Sequence, residues 1–429
     1  MTAVVGILNK HAVAIAADSA VTIGGPSGSK IFNKANKIFT LSKKHPVGIM
    51  IYNAASFMAT PWETIIKIYR EQLNDRYFST LKEYQQDFIE FLRSKSFYTN
   101  VELQIVSLEN FIQDIITLVS KDIAQNQSGL IQSSLEDRRA ELLRNFENQI
   151  ERHITHWNQT ELCTEFKDYT FEMFNTYSDG IFKYIVQKRF VENGIEISAA
   201  LFLKIKQCVY TILRVKENVS SYTGLIFTGF GEDEIYPQLI PVNISMLVDN
   251  RLRYYIDERN IASISNENIG CVRPFAQTDV IDTILSGIDP SLDDIYLRNF
   301  EALFNNYNQT ILDSIGNSNP LLSEQIQNLN TNDIVNEFNN MNNHIKIKNY
   351  INPLINAVSN LAKDDLIEMA ESLIYLTYLK RRITFAEESV GGPVDVAVIS
   401  KGDGFIWIKR KHYFKPELNG HFFNNYFQK

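Results

Sequence analysis

Three residues near the start of the chain, Thr2, Asp18 and Lys37, are of the types that a hydroxyl nucleophile needs around it. A methionine followed by a residue as small as threonine is expected to be removed, which would leave Thr2 with a free α-amino group. Such an amine has a pKa of about 8, so a useful fraction is neutral near pH 7. It can take the proton of its own residue's hydroxyl, directly or through one water, without a separate histidine. Asp18 ends an apolar run and is costly there unless partnered. Lys37 opens the next apolar run; a lysine beside the threonine hydroxyl would lower its pKa, and Asp18 would keep that lysine charged and oriented. Taken singly, each residue also has an ordinary reading. A Met-Thr start usually carries no chemistry, Asp18 can cap a turn, and Lys37 can be a solvated strand end.

The elements that must position these residues are short and β-rich. Residues 4–8 and 12–17 read as two buried strands joined by the tight turn Asn9-Lys10-His11, a hairpin. A Gly-Gly-Pro-Ser-Gly stretch at residues 24–28 reads as a loop. Residues 37–41 and 47–52 read as a second hairpin. The period then changes. From about residue 56 to 216, apolar residues recur at helix spacing, as in Trp62, Ile65, Ile66 and Tyr69, or Phe111, Ile112, Ile115, Ile116 and Val119. Strand texture returns at residues 223–228, 239–248 and 252–256. A helix is expected at 280–285, a partly helical Asn-rich stretch at 299–343, and one amphipathic helix over 354–379. A last hairpin spans 394–400 and 405–409. Sheets alternating with helical blocks predict a layered α+β architecture. The expected division is a core in three parts, residues 1–74, 221–290 and 351–429, with a helical insertion at 75–220 and an Asn-rich one at 291–350.

Read together, Thr2-Ala-Val-Val-Gly-Ile, Val13-Ala-Ile-Ala-Ala-Asp18-Ser19, Lys37-Ile-Phe-Thr-Leu and Gly48-Ile-Met-Ile-Tyr-Asn-Ala-Ala55 resemble the opening of proteasome β-type subunits and their bacterial two-component relatives. The spacing from Thr2 to Asp18 matches without a gap, and Lys37 matches after a short insertion. Lys34 is a competitor for the lysine position. Val390-Gly391-Gly392-Pro393-Val394-Asp395-Val396 resembles the late glycine-pair strand of that family. The resemblance spans roughly residues 1–70, 222–290 and 350–410; residues 75–220 have no counterpart in it.

This resemblance implies a four-layer αββα sandwich of the N-terminal-nucleophile hydrolase type with an inserted helical lobe. It also implies peptide-bond cleavage through a threonyl ester, with Thr2, Asp18 and Lys37 catalytic and backbone N–H groups holding the oxyanion. Ser19, Tyr52, Asn53, Glu387 and Ser389 are the expected supporting positions. The family's oxyanion glycine falls on Tyr52, with Asn53 next, so a side chain would crowd the substrate pocket. Its aspartate before the glycine pair falls on Glu387, and its serine on Val390, one residue from Ser389. Its Ser-Gly turn has no clean match near residues 271–278. These departures keep open a catalytically silent proteasome-like scaffold that binds partners through its helical lobe. An amidase acting on a small amide would share the same core.

The remaining composition bounds the answer. The chain has 429 residues, 45% of them apolar, with a net charge of -8. That charge argues against a nucleic-acid surface. Cys163, Cys208 and Cys271 are widely spaced and odd in number, so neither a disulfide framework nor a zinc cluster is indicated. A reducing cytoplasm fits. The start lacks a signal-peptide pattern, and no run of about eighteen uncharged apolar residues exists for a membrane span. No cofactor and no metal are expected; His153 and His156 stand three apart without a third ligand. The expected partners are a peptide or protein substrate, further copies of the chain, because relatives form rings, and a protein docking on the helical insertion. The acidic turn Glu232-Asp233-Glu234 and the basic run Lys409-Arg410-Lys411-His412 are read as surface features; for the aromatic tail Phe422, Phe423, Tyr426 and Phe427, docking on a neighbouring subunit and packing on its own chain are equally open.

Overall fold

The computed structural model describes residues 2–25, 28–94, 100–126, 135–315, 322, 324, 331–384, 390–412 and 414–421. The chain forms two compact units. One is built from Met1–Ile38, Ile235–Gln238 and Ala262–Lys429, the other from Phe39–Glu234 and Leu239–Ile261. Both combine an antiparallel sheet with helices.

In the first unit the sheet order is Gly270–Ala276, Ala3–Asn9, Val13–Ala17, Asp395–Ser400 and Gly404–Lys409. The small and β-branched residues of Ala3–Asn9 and Val13–Ala17 are buried on both faces. On one face Ala3, Val5, Ile7, Ala14, Ala16, Val396 and Val398 pack with Leu366, Ala370, Leu373 and Ile374 of the helix Lys363–Ile383. Alanines on the strands let the helix approach closely, and each buried Leu or Ile contributes roughly 1.5–3 kcal/mol.

Three local readings of the sequence change here. Gly24, Gly25 and Gly28 lie in strands rather than in a loop: Val21–Gly25 pairs with Gly28–Phe32, and the β-branched Val21-Thr22-Ile23 starts the first of them; Pro26 and Ser27 lie outside the described residues. The outer strand Gly270–Ala276 carries Arg273 and Pro274, which mask its strand pattern. Pro274 sits opposite Val5 at the sheet edge, where a missing N–H is tolerated. The helix expected over 354–379 is two helices, Asn352–Asn360 and Lys363–Ile383. The break is filled by Asn9, whose Nδ2 donates to the Val358 carbonyl at 3.0 Å and the Leu361 carbonyl at 2.9 Å. The Val358 carbonyl also accepts from Leu361 N at 3.2 Å, and the Asn9 amide adds its donors where the helix end leaves carbonyls short of intrahelical partners. The Asn-rich stretch supplies Pro290–Ile315 and Thr331–Lys346, joined by Phe300 stacked on Phe338 at 4.1 Å.

The second unit has a sheet whose main path runs Arg251–Ile256, Gln238–Val248, Thr223–Gly229, Val47–Asn53 and Ile38–Thr40. Its helices are Trp62–Leu73, Leu81–Ser94, Val101–Asn126, Leu135–Trp157, Phe171–Arg189 and Ala199–Arg214. Trp62, Tyr69, Phe88 and Phe227 anchor the core, and Trp62 Nε1 donates to Thr223 Oγ1 at 2.8 Å. The acidic turn has a structural task. Glu234 Oε2 accepts from Leu81 N at 3.1 Å and Gly231 N at 2.7 Å, capping Leu81–Ser94. Buried Arg253 donates to the carbonyl of Leu213 in the last turn of Ala199–Arg214 and to those of Val215 and Glu217 just past it. A cation at a helix C-terminus offsets the helix dipole. Among the described residues, no helix is long and apolar enough to cross a membrane.

Candidate active site

Strand register brings Thr2 and Asp18 together. Ala3–Asn9 and Val13–Ala17 pair antiparallel with Val4 opposite Ala17, so the residues just outside each strand end adjoin. Asp18 N donates to the Ala3 carbonyl at 3.1 Å, and Ala3 N donates back to Asp18 Oδ1 at 2.9 Å. On the other side of Thr2, its carbonyl accepts from Gln277 N at 3.0 Å. The chain leaves Asp18, makes the hairpin Val21–Gly25/Gly28–Phe32, and returns through Ala35, whose N donates to the Ser19 carbonyl at 3.0 Å. That return delivers Lys37.

Lys37 Nζ lies 2.6 Å from Asp18 Oδ1 and 2.6 Å from the Ala20 carbonyl. Lys37 is 2% exposed and Asp18 1%, so this is a fully buried ion pair. The second carboxylate oxygen, Oδ2, accepts from Ala20 N and Gly391 N, each at 3.0 Å. Asp18 thus takes two donors on each oxygen, the satisfaction a buried charge requires. Burial pushes the Lys37 ammonium below the ordinary lysine range. The neighbouring Asp18 charge and its hydrogen bond oppose that, Lys411 reinforces it, and Asp395 opposes it. Asp395 and Lys411 form a second ion pair in the same unit, with Lys411 N donating to Asp395 Oδ1 at 2.9 Å. Lys34, the competing lysine, is exposed.

The supporting positions divide. Ser19 is buried; its Oγ donates to the Pro393 carbonyl and its N to the Gly391 carbonyl at 3.0 Å, so it holds the glycine-pair segment against the site. Gly392 has φ +77°, and a Cβ there would lie 2.8 Å from the Asn33 carbonyl oxygen, so the second glycine is required. Tyr52 and Asn53 end the strand Val47–Asn53 in the second unit. The Tyr52 ring lies across Gly224, where an added Cβ would come within 1.9 Å of it. Its hydroxyl donates to Asn243 Oδ1 at 3.2 Å. Asn53 adopts the left-handed backbone, φ 65°, that asparagine tolerates. Glu387 and Ser389 lie outside the described residues, as do the tail aromatics Phe422, Phe423, Tyr426 and Phe427.

Sequence reasoning missed several contributors. The Gly391 N–H donates to the central carboxylate, a backbone role with no side-chain signal. Ala276 has φ 66° beside Gln277, whose N–H holds the Thr2 carbonyl. An alanine in that conformation is uncommon and stands where a glycine would have been a clear mark. In the basic run near the C-terminus, Lys411 pairs with the buried Asp395, while Lys409, Arg410 and His412 are exposed, with Lys409 bridged to Glu371 at the surface. The cysteines are free and buried, and burial pushes all three thiols up, Cys208 to about 12. They stay protonated near neutral pH and are poor nucleophiles. His153 Nε2 pairs with Asp122 at 2.9 Å, and His156 packs edge-on to Trp157. Among the described residues, no group of three His, Cys, Asp or Glu side chains is arranged to hold a metal.

No protein-family model and no curated protein matches the chain. Among solved structures, the chain is similar to Anbu from Hyphomicrobium sp. strain MC1, at 9% identity over 100% of this chain and 97% of that one, with a TM-score of 0.28. The Gly-1 mutant of Anbu from the same strain aligns at 8% identity, 100% and 96% coverage and a TM-score of 0.28. Anbu (ancestral beta-subunit) from Yersinia bercovieri aligns at 9% identity, 99% and 95% coverage and a TM-score of 0.27. Similarity at that level decides neither the site nor the chemistry, which rest on the residues and distances above.

Proposed function

We propose that the chain is a proteasome-like N-terminal threonine hydrolase, built on a four-layer αββα frame, that cleaves peptide bonds through a threonyl ester once Thr2 carries a free α-amine. The observation that carries this reading is the Asp18 carboxylate. One of its oxygens accepts from both the Ala3 N–H, which follows Thr2, and the Lys37 ammonium. That shared oxygen ties the backbone next to Thr2 and the Lys37 ammonium to one point, which supports a joint role for the three residues. In this reading Thr2 Oγ1 gives its proton to its α-amine and attacks the substrate carbonyl. Lys37 stabilises the negative charge developing on Thr2 Oγ1. The amine returns the proton to the leaving nitrogen, and water, activated by the same amine, releases the acyl group. Thr2 is 2% exposed in the chain that begins at Met1. The reading therefore requires that loss of Met1 give a substrate access.

The test is the N-terminal mass of the purified protein, together with cleavage of a fluorogenic peptide library by the native protein and by Thr2→Ala. The proposal expects a mass lacking Met1 and activity lost in Thr2→Ala. It also expects activity lost in Lys37→Ala but kept in Lys34→Ala. A mature protein that retains Met1, or cleavage unchanged by Thr2→Ala, refutes it.

One observation favours a second reading, the silent scaffold. Tyr52 stands where the resemblance calls for a glycine, and its buried hydroxyl is committed to Asn243. A native protein that loses Met1 yet neither cleaves peptides nor reacts with threonine-directed electrophiles supports that alternative.

A further inference from the structure

A cavity of about 650 Å³ opens within the second unit, beside the end of the strand Val47–Asn53. Its wall carries Tyr52, Tyr222 and Tyr255 together with Asn218 and Asn243. The Tyr52 and Tyr222 rings meet edge to face at 6.3 Å. Asp257 lies close enough to Tyr52 and Tyr222, and Glu217 to Tyr255, to add to the upward push that burial gives these phenols. The tyrosines are therefore neutral at ordinary pH and line the cavity as uncharged aromatic rings.

Two features single out what would fit. Asn218 Oδ1 is buried with no hydrogen-bond partner among the described residues. A buried acceptor left unmatched costs about 1–3 kcal/mol, which a ligand N–H would recover. The charge balance points the same way. Glu161, Glu217, Asp257 and Glu258 line the cavity against Lys216 and Arg259. Lys216 is tied to Glu161 at 2.5 Å and lies 4.0 Å from Glu258; Glu217, Glu258 and Arg259 are exposed and Asp257 is half-buried, so carboxylates outnumber cations around the cavity. Asp257 accepts from Asn260 Nδ2 at 2.8 Å, a neutral donor that leaves its charge uncompensated by that bond.

The wall is held in place before any ligand arrives. Arg253, fully buried, donates to the Val215 carbonyl at 3.0 Å and the Glu217 carbonyl at 2.6 Å. Lys216 N donates to the Glu161 carbonyl at 2.8 Å. Preorganised walls reduce the ordering entropy that binding must overcome.

We propose that this cavity binds an ammonium or guanidinium group, such as a lysine or arginine side chain or a short diamine. The cation sits over the tyrosine faces between Glu217 and Asp257, and Asn218 Oδ1 accepts one of its N–H groups. Tyrosine faces attract a desolvated cation, and charge-assisted hydrogen bonds to carboxylates orient it. This site stands independently of the hydrolase reading, because it is scored by binding alone.

The experiment is isothermal titration of the full chain with agmatine, which carries both cationic groups, and with N-butylacetamide, a neutral chain of similar length. Agmatine is expected to bind saturably and N-butylacetamide not to bind. The Glu217→Gln/Asp257→Asn double variant should bind agmatine at least tenfold more weakly, and so should Asn218→Leu, each with an unchanged melting profile. Should the double variant melt early, Tyr222→Leu serves in its place, with the same tenfold loss expected. Absence of saturable agmatine binding, equal binding of the neutral chain, or unchanged affinity in the folded variants overturns the proposal.

Discussion

Replacing Asp18 with asparagine isolates what the carboxylate contributes. The amide is nearly isosteric but offers one acceptor oxygen instead of two. If its oxygen faces Ala3 N and Lys37, its NH2 meets the N–H groups of Ala20 and Gly391, which now donate to Oδ2. Two buried backbone donors are then unmatched, at about 1–3 kcal/mol each. Removing the anion from a buried pair costs about 3–5 kcal/mol, since the cation is left behind. Lys37 can relieve part of this by losing its proton, because burial already holds its pKa below the ordinary value. These contributions overlap, so the expected loss is about 3–5 kcal/mol for Asp18→Asn. Lys37→Met on the same background should recover part of it, with a coupling of about 1–3 kcal/mol. Amide hydrogen exchange of peptides covering residues 3–17, read by mass spectrometry, reports on this sheet alone. At tenfold per 1.4 kcal/mol, exchange should accelerate by roughly a hundredfold or more in Asp18→Asn. Effects of the two substitutions that add within about 0.5 kcal/mol, or an Asp18→Asn loss below about 1 kcal/mol, would refute the reasoning.

Other consequences concern protonation and backbone shape. The folded Lys37 pKa lies below its unfolded value of 10.5, so between the two the unfolded chain holds more protons. The Lys37 contribution is therefore most unfavourable below the folded pKa and is relieved as pH rises toward 10.5. Lys411→Met removes a positive charge and frees the Asp395 carboxylate, and both changes raise the Lys37 pKa. The alkaline limb of peptide cleavage should therefore move upward in that variant, and a fixed or downward-shifted limb contradicts the assignment. Gly392→Ala forces a side chain into the left-handed region and against the Asn33 carbonyl, whereas a Cβ at Gly391 meets nothing closer than 3.4 Å. Urea unfolding followed at Trp407 should show a loss above about 1 kcal/mol for Gly392→Ala and a much smaller one for Gly391→Ala.

The parts of this arrangement that were legible in the sequence are those with side-chain patterns. The apolar runs around Val5 and Ala14 mark the paired strands, and helix-period residues such as Trp62, Ile65 and Tyr69 mark the large helical block. The cost of burying Asp18 alone signals a partner, and the family resemblance singles out Lys37 over Lys34. What could not be read was carried by backbone groups and by distant partners. Pro274 hides an edge strand because it suits the edge position through the N–H it lacks. Asn9 ends a helix some 350 residues away in sequence by donating to two carbonyls, the farther at a separation of 352, and no local signal announces that. Arg253 reads as one more charge in a strand, yet its guanidinium fixes the carbonyls that form a cavity wall. Glu234 looks like part of a solvated acidic turn but caps Leu81–Ser94.

The central claim is that Thr2 is a nucleophile acting with its own amine. A peptide epoxyketone tests it directly, because a stable ring adduct requires both a hydroxyl and a free α-amine on the same residue. Incubation of the native protein with the probe, followed by peptide mass mapping, should place one adduct on Thr2. Thr2→Ala and Lys37→Ala should show none. An N-terminal peptide that loses Met1 yet remains unmodified, or an adduct that maps to another residue and persists in Thr2→Ala, would contradict the account.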